Sequence, residues 1–285
     1  MDNDEAAAGF RYQRLTDGQF QKFSSLVYEK TGIYLKSEKK ELLNARLGKR
    51  LRITGIASFQ QYYDYVMSDA SGEELVHLID NVSTNFTSFF RESAHFDALT
   101  RTVLPGFLAQ GRGQNKELVL WSSACSSGEE PYTMAMVVED FVRAHPELRY
   151  RIMATDISTR VLAQARKGIY SDDRISKVPD SFLKRYFQKG VGEAAGHVRI
   201  KDDIRRVVKF DRFNLMGEFP WRTSIDVIFC RNVMIYFNRE TQQRLVDKFH
   251  QALTPGGYLF IGHSESITGL RHAFTQVEGT TYRKR

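Results

Sequence analysis

The stretch Leu118-Val119-Leu120-Trp121-Ser122-Ser123-Ala124-Cys125-Ser126-Ser127-Gly128-Glu129-Glu130-Pro131 decides the fold. Its apolar run is too short for a helix and rich in branched and aromatic residues, which predicts a buried strand. The small residues after it predict a turn where the backbone can approach a ligand, and Glu130 to Ala144 reads as the helix that follows. Three further runs of the same kind lie downstream, at Arg151 to Ala154, Ile225 to Cys230 and Tyr258 to Ile261. Helical segments alternate with them, including Ser158 to Lys167 stopped by Gly168 and Arg239 to Leu253 stopped before Pro255-Gly256-Gly257. This alternation predicts an α/β fold with a parallel, doubly wound, Rossmann-like sheet. It breaks between about 180 and 213, where a short helix (Ser181 to Gln188) precedes two alternating segments, His197 to Lys201 and Arg206 to Asp211. Those predict a small antiparallel β insertion of the sort that handles partner recognition.

Upstream the pattern is helical from Thr16 to about Ser83. Phe20, Phe23, Leu26 and Val27 with a stop at Gly32 predict one helix; Leu43, Leu47 and Leu51 predict a second; Phe59, Tyr62, Tyr63 and Val66 a third. A capping box from Ser71 to Glu74 predicts the start of a fourth, carrying Leu75 and Ile79. Residues 1–15 read as a mobile tail. The expected organisation is therefore a tail (1–15), an all-α N-terminal domain (16–83) and an α/β domain (84–285) with its insertion.

With 285 residues, 42% hydrophobic and 26% charged, the chain can bury a sizeable core beneath an ordinary soluble surface. No apolar run approaches the roughly 20 residues that span a bilayer, and Met1 to Glu5 carry no signal-peptide pattern. A cytoplasmic protein without membrane insertion is expected. Cys125 and Cys230 are too few for a disulfide framework and read as buried thiols. The seven histidines show no HExxH spacing, so no metal is expected. The absence of a heptad or an exposed apolar strand points to a monomer.

In an open parallel sheet, ligands sit beyond the carboxyl ends of the strands. The turn after Trp121 is not GxGxxG, so a pyrophosphate would lack its usual seat. Glu129 and Glu130 would repel phosphate and suit a cationic ligand such as a sulfonium bearing an ammonium group; the plainer reading is a helix cap. Asp156 ends the second strand, where an acid can accept from both hydroxyls of a ribose or simply cap the next helix. Arg231 and Asn232 are polar groups at the end of a hydrophobic strand, where they either tie loops together or line the ligand crevice. Asn214 and Leu215 could grip the edge and face of an adenine.

Four segments taken together, Asn85-Phe86-Thr87-Ser88-Phe89-Phe90-Arg91-Glu92, Ser127-Gly128-Glu129-Glu130-Pro131-Tyr132, Asp156-Ile157 and Ile228-Phe229-Cys230-Arg231-Asn232-Val233-Met234-Ile235-Tyr236-Phe237, closely resemble the CheR-type chemotaxis receptor glutamate methyltransferases. Leu253-Thr254-Pro255-Gly256-Gly257 and Gly262-His263-Ser264-Glu265 fit as well, and the resemblance runs from about Leu15 to Tyr282. Ser88 and Cys125 stand where the family pattern has alanine, exchanges between small residues. The resemblance implies a class I S-adenosylmethionine-dependent methyltransferase sheet behind an all-α domain, with S-adenosylhomocysteine as product. By motif position it assigns Asp156 to the ribose, Asn214 and Leu215 to the adenine, and Glu130 to the amino-acid end of the cofactor. Asn85, Thr87 and Arg91 would close the pocket, Arg231 and Asn232 would lie beneath it, and Tyr236 and Arg91 would orient the substrate carboxylate.

A glutamate with a pKa near 4.3 is already ionised at neutral pH, so its oxygen needs no general base to attack a sulfonium methyl. Part of the net charge of +7 sits in one segment: Lys36 to Arg52 holds seven cations against two acids, 7 − 2 = +5. On a helix Lys39, Arg46 and Arg50 fall within about 40° of one another. A solvated face is the default reading; given the resemblance, this face is expected to steer toward acidic receptor helices, and the β insertion toward a receptor tail. A nucleic-acid methyltransferase is the competing enzyme class, but the basic segment lacks interleaved aromatics and Asn232-Val233-Met234-Ile235 lacks an Asn/Asp-Pro-Pro-Tyr pattern. A sensor that has lost turnover is the non-enzymatic alternative, disfavoured by the joint presence of Arg91, Glu130, Asp156, Asn232 and Tyr236.

Overall fold

The computed structural model describes residues 13–285, and the chain divides into two compact units between Thr84 and Asn85. Most of the tail expected over 1–15 lies outside the described residues. Its last residue, Leu15, is 2% exposed in the helical core, and its N–H donates to Asn44 Oδ1 at 2.9 Å.

The first unit holds α1 (Asp17–Thr31), α2 (Lys40–Thr54), α3 (Phe59–Ser68) and α4 (Glu73–Val82). Their apolar stripes meet in one core that includes Phe20, Phe23, Leu43, Leu47, Leu51, Tyr62 and Leu78. Thr16 and Gln19 close a capping box on α1, and Gly32 ends that helix in the left-handed region at φ 73°. The box expected from Ser71 to Glu74 does not form. Gly72 occupies the cap position, and Asp69 takes over from outside the helix, accepting from the N–H groups of Ser71 (3.0 Å) and Glu74 (2.8 Å). Glu74 is free of capping because Arg50 claims it: Nε and Nη2 of Arg50 reach its two carboxylate oxygens at 2.7 and 2.6 Å.

That ion pair also corrects the solvated cationic face. Arg50 and Glu74 have side chains only 14% and 5% exposed, and the Tyr62 hydroxyl donates to the same carboxylate at 2.7 Å. Arg46 donates to the Val82 carbonyl, tying α2 to the end of α4. Both arginines sit beside the leucine stripe, so they are pulled onto the neighbouring helix. Lys39 precedes α2 in a short 3₁₀ turn and is exposed, as are Lys36, Lys49 and Arg52.

The second unit begins with α5 (Ala94–Ala98), a π-helical turn (Leu99–Val103) and α6 (Leu104–Ala109), followed by β1 (Leu118–Ser122), α7 (Glu129–Ala144), β2 (Tyr150–Asp156) and α8 (Thr159–Lys167). Next come β3 (Ile169–Ser171), α9 (Asp180–Tyr186), β4 (Phe187–Lys189), β5 (His197–Ile200), α10 (Asp202–Arg206) and β6 (Val208–Arg212). The chain ends with β7 (Ile225–Cys230), α11 (Arg239–Ala252), β8 (Leu253–Ile261), β9 (Phe274–Glu278) and β10 (Thr281–Lys284). Seven strands form one sheet in the order β6-β2-β1-β7-β8-β10-β9; the first five are parallel, and β10 runs antiparallel to both its neighbours. Every residue of β1 and β7 is buried, as expected for central strands with both faces covered.

The antiparallel insertion exists but has other bounds than expected. Its sheet is β3-β5-β4, so it begins at Ile169, and Val208–Arg212 leaves it to pair in parallel with β2. Alternation along 206–211 is the same for an edge strand of either sheet, and a three-residue strand such as β3 is too short to show a period.

Candidate active site

The chain winds from β1 out through β2 to β6, then returns to place β7 on the other side of β1. Loops after β1 and β7 therefore diverge, and a crevice opens at their carboxyl ends.

The turn after β1 is pinned on both sides. Ser123 donates its N–H and its hydroxyl to the Phe229 carbonyl at 2.9 and 3.0 Å, and the Cys125 N–H reaches Thr155 O at 2.8 Å. Gly128 opens α7 at φ 97°, and a Cβ there would lie 2.9 Å from both Ala165 Cβ and Tyr170 Oη. Only glycine fits that turn. Asp156, 6% exposed, accepts from the Ser126 N–H at 2.8 Å and the Ser158 N–H at 2.9 Å, locking the first loop to the second. The Asp156 carbonyl accepts from the Phe213 N–H at 3.0 Å, which brings the Asn214–Leu215 turn next to the acid. Asn214 Oδ1 accepts from the Met216 N–H at 3.0 Å, and Leu215 is buried.

The two glutamates of this turn are not a free anionic pair. Glu129 is fully buried against Arg174, which comes from the insertion, and the Ser127 hydroxyl donates to it at 2.7 Å. Glu130 accepts from Ser122 Oγ at 2.7 Å and from Arg231 Nη1 at 3.0 Å. Burial raises the Glu130 pKa, with the Arg231 charge and the Ser122 hydroxyl acting against it.

Arg231, expected beneath a cofactor, spends its guanidinium on protein partners. Its side chain is 1% exposed; besides Glu130 it donates to Glu92 Oε2 from Nη2 at 2.9 Å and to the Arg91 carbonyl. The rings of Phe96 and Phe229 lie 5.5 and 5.8 Å from its charge centre. Asn232 adopts φ 58° and donates Nδ2 to Glu92 Oε1 at 3.2 Å. Glu92 thus closes a buried chain of charge, Glu130–Arg231–Glu92. Desolvation would raise the Glu92 pKa, but Arg231 and Asn232 prevail and hold it below the usual value. His95 and His263 offer ligand atoms within 4.8 Å of Glu92, the one such grouping among the described residues. Both Glu92 oxygens are already engaged by Arg231 and Asn232.

The Asn85–Arg91 segment borders the same loops. Ser126 Oγ donates to the Asn85 carbonyl at 2.8 Å, while Asn85 Nδ2 is buried and has no partner among the described residues. Arg91 donates to the Phe86 carbonyl at 2.9 Å and lies 5.6 Å from the centre of that ring, which is 78% exposed. Thr87 and Tyr236 are half-buried, the latter at the end of the Met234–Tyr236 turn. Two carboxylates that organise the site, Glu92 and Glu265, carry no role in the sequence reading. Their only signal is that each stands in a quoted motif, Glu92 beside Arg91 and Glu265 at the end of Gly262-His263-Ser264-Glu265.

A mostly parallel sheet with this strand order, a small-residue turn after β1, an acid after β2 and the buried Asn85 amide fit the S-adenosylmethionine-dependent methyltransferases. Residues 85–283 match the family profile described as "CheR methyltransferase, SAM binding domain", and residues 18–83 match "CheR methyltransferase, all-alpha domain". The chain belongs to the CheR methyltransferase family. It is 38% identical over 273 residues to a chemotaxis protein methyltransferase of Borreliella burgdorferi, covering 95% of each chain. The corresponding protein of Escherichia coli is 37% identical over 269 residues, covering 94% of this chain and 91% of that one. S-Adenosylmethionine is the cofactor, and the residues present suit it: the buried, ionisable Asp156 can meet ribose hydroxyls, and Asn85 Nδ2 has a donor to give.

Proposed function

We propose that this enzyme transfers a methyl group from S-adenosylmethionine to glutamate side-chain carboxylates of chemotaxis receptors, giving glutamyl methyl esters and S-adenosylhomocysteine for sensory adaptation. One observation carries the choice of acceptor. Glu92, Glu130, Asp156 and Glu265, the carboxylates of the crevice, are all committed to arginine or backbone donors. An ionised carboxylate acceptor needs no general base, so these groups can stay bound to their partners through the reaction.

Asp156 binds the ribose, Asn214 and Leu215 the adenine, and Glu130 the ammonium end, with Arg231 acting through Glu130. Asn85, Thr87 and Arg91 close over the cofactor, and Asn232 forms the floor. When bound, S-adenosylmethionine supplies a methyl on a sulfonium centre; a C–O bond replaces the C–S bond, opposite charges cancel, and no proton moves. Arg91 and Tyr236 orient the incoming carboxylate. Orientation and exclusion of water supply the rate. A firm arginine clamp would stabilise ground-state charge that the transition state loses, so the value of Arg91 lies in positioning.

No helix among the described residues is long and apolar enough to cross a membrane. The reading places a monomeric enzyme in the cytoplasm, meeting acidic receptor helices. The exposed Lys36, Lys39, Lys49 and Arg52 supply the steering charge, in place of Arg46 and Arg50. The insertion, with β3 and β4 as its open edges, docks a receptor tail. Transfer of radiolabelled methyl to receptor-containing membranes, followed by mild alkali, tests the reading. Volatile methanol is expected from an ester; alkali-stable label would overturn it.

A further inference from the structure

We infer that Glu265 is a positioning residue for methyl transfer, fixing the Asn232–Ile235 turn through backbone hydrogen bonds and so setting Asn232 and Tyr236. The residue is 6% exposed. Its Oε2 accepts from the N–H groups of Asn232 at 2.8 Å and Gly262 at 2.6 Å, and its Oε1 from those of Val233 at 2.9 Å and Ile235 at 3.3 Å. A carboxylate offers about four lone-pair sites, and all four are used here. Glu265 therefore has nothing left for a ligand and acts through the loop.

What it holds is a segment that cannot hold itself. Asn232 sits at φ 58°, an uncommon conformation for a residue with a side chain. Three N–H groups of this turn point at one carboxylate, and buried N–H groups left without partners are costly. Within the turn, only the N–H groups of Tyr236 and Phe237 are satisfied by its own carbonyls, those of Val233 and Met234. Gly262 completes the fit: a Cβ there would lie 2.6 Å from Asn232 Nδ2 and 2.9 Å from Glu265 Oε2. The side chain of Asn232 in turn reaches Glu92. Glu265 and Glu92 thus clamp the post-β7 loop, one by its backbone and the other by its side chains.

The inference rests on the proposed roles of Asn232 and Tyr236, and its test has one readout that needs no turnover. In E265Q the amide nitrogen must face two N–H donors, whichever way it turns. Amide hydrogen exchange at residues 232–235 should accelerate by about tenfold or more. In the methylation assay kcat should fall by about tenfold or more, and the S-adenosylmethionine Kd should rise by about threefold or more because Asn232 floors the cofactor pocket. Combining E265Q with Y236F should cost less than the product of the two single effects, because both act on one group. E265D keeps the charge but withdraws it from these N–H groups by one methylene, and the same exchange and kcat readouts on it decide the question if E265Q does not fold. Unchanged exchange in the folded variant, or a kcat within about twofold of wild type, overturns the inference. Wild type without alkali-labile product defeats the carboxylate reading instead, and the exchange measurement still judges Glu265.

Discussion

Glu130 Oε2 and Arg231 Nη1 meet at 3.0 Å with 12% and 1% of their side chains exposed, joining the first turn of α7 to the loop after β7. The bond spans the switch point, so the two sides of the crevice share one buried charge pair. Glu92 binds the other edge of the same guanidinium.

Removing Arg231 leaves Glu130 and Glu92 without their counter-charge. R231A is expected to lose about 3–5 kcal/mol of stability, the usual cost of breaking a buried pair. R231K keeps a charge but cannot fork to Glu92, Glu130 and the Arg91 carbonyl, and should fall between R231A and wild type. Urea denaturation measures both; a loss under about 1 kcal/mol in R231A would show that the pair is not a structural tie.

Asp156 accepts one N–H on each oxygen. In D156N the amide nitrogen must face one of those donors, and the negative charge is gone. S-Adenosylmethionine affinity by calorimetry should fall by about 10- to 100-fold, the worth of one or two charge-assisted hydrogen bonds. Equal affinity would remove Asp156 from the cofactor site.

Steering and structure should separate cleanly in the helical unit. Reversal of the exposed Lys39, Lys49 and Arg52 to Glu is expected to lower kcat/KM on receptor membranes severalfold at low ionic strength, with the difference vanishing near about 0.5 M salt. R50E should act at every salt concentration by destabilising the fold, since it places a carboxylate against Glu74. A salt-independent loss in the triple variant would refute steering.

His95 is buried, and desolvation together with the Arg231 charge lowers its pKa to about 3. Between that value and the ordinary pKa near 6.5 the unfolded chain binds a proton that the folded chain does not, so stability falls as pH drops below about 6.5. At pH 5 the loss from this residue is about 2 kcal/mol. H95Q should flatten the stability profile between pH 6.5 and 5 relative to wild type; an unchanged slope would mean the histidine is charged in the folded protein. Glu92, held below its usual pKa, adds acid lability of the same sign at lower pH.

The strands at Leu118 and Ile225 were legible because they are buried on both faces, and those at Arg151 and Tyr258 because their carboxyl-terminal halves are. The helices of the first unit were legible because their stripes keep a period near 3.6. The bounds of the insertion are not legible, because a period of two says which face is buried and nothing about which strand lies alongside. Capping by Asp69 leaves no local signal, because the acceptor sits outside the helix it serves. The partners of Arg46 and Arg50 are not legible, because helical phase places a side chain on a face without showing what packs against it.

The sequence by itself determined the fold class, the turn of small residues after β1, the acid after β2 and, through the joint motifs, the methyltransferase family. Those are local properties, carried by residue type and spacing. Only the tertiary structure decided which charges are free. It paired Glu129 with Arg174, Glu130 and Glu92 with Arg231, and Arg50 with Glu74, and it aimed three N–H groups of one loop at Glu265. Those partners lie 24 to 139 residues apart in the chain, so their meeting is set by strand order and helix packing, to which no local pattern gives access.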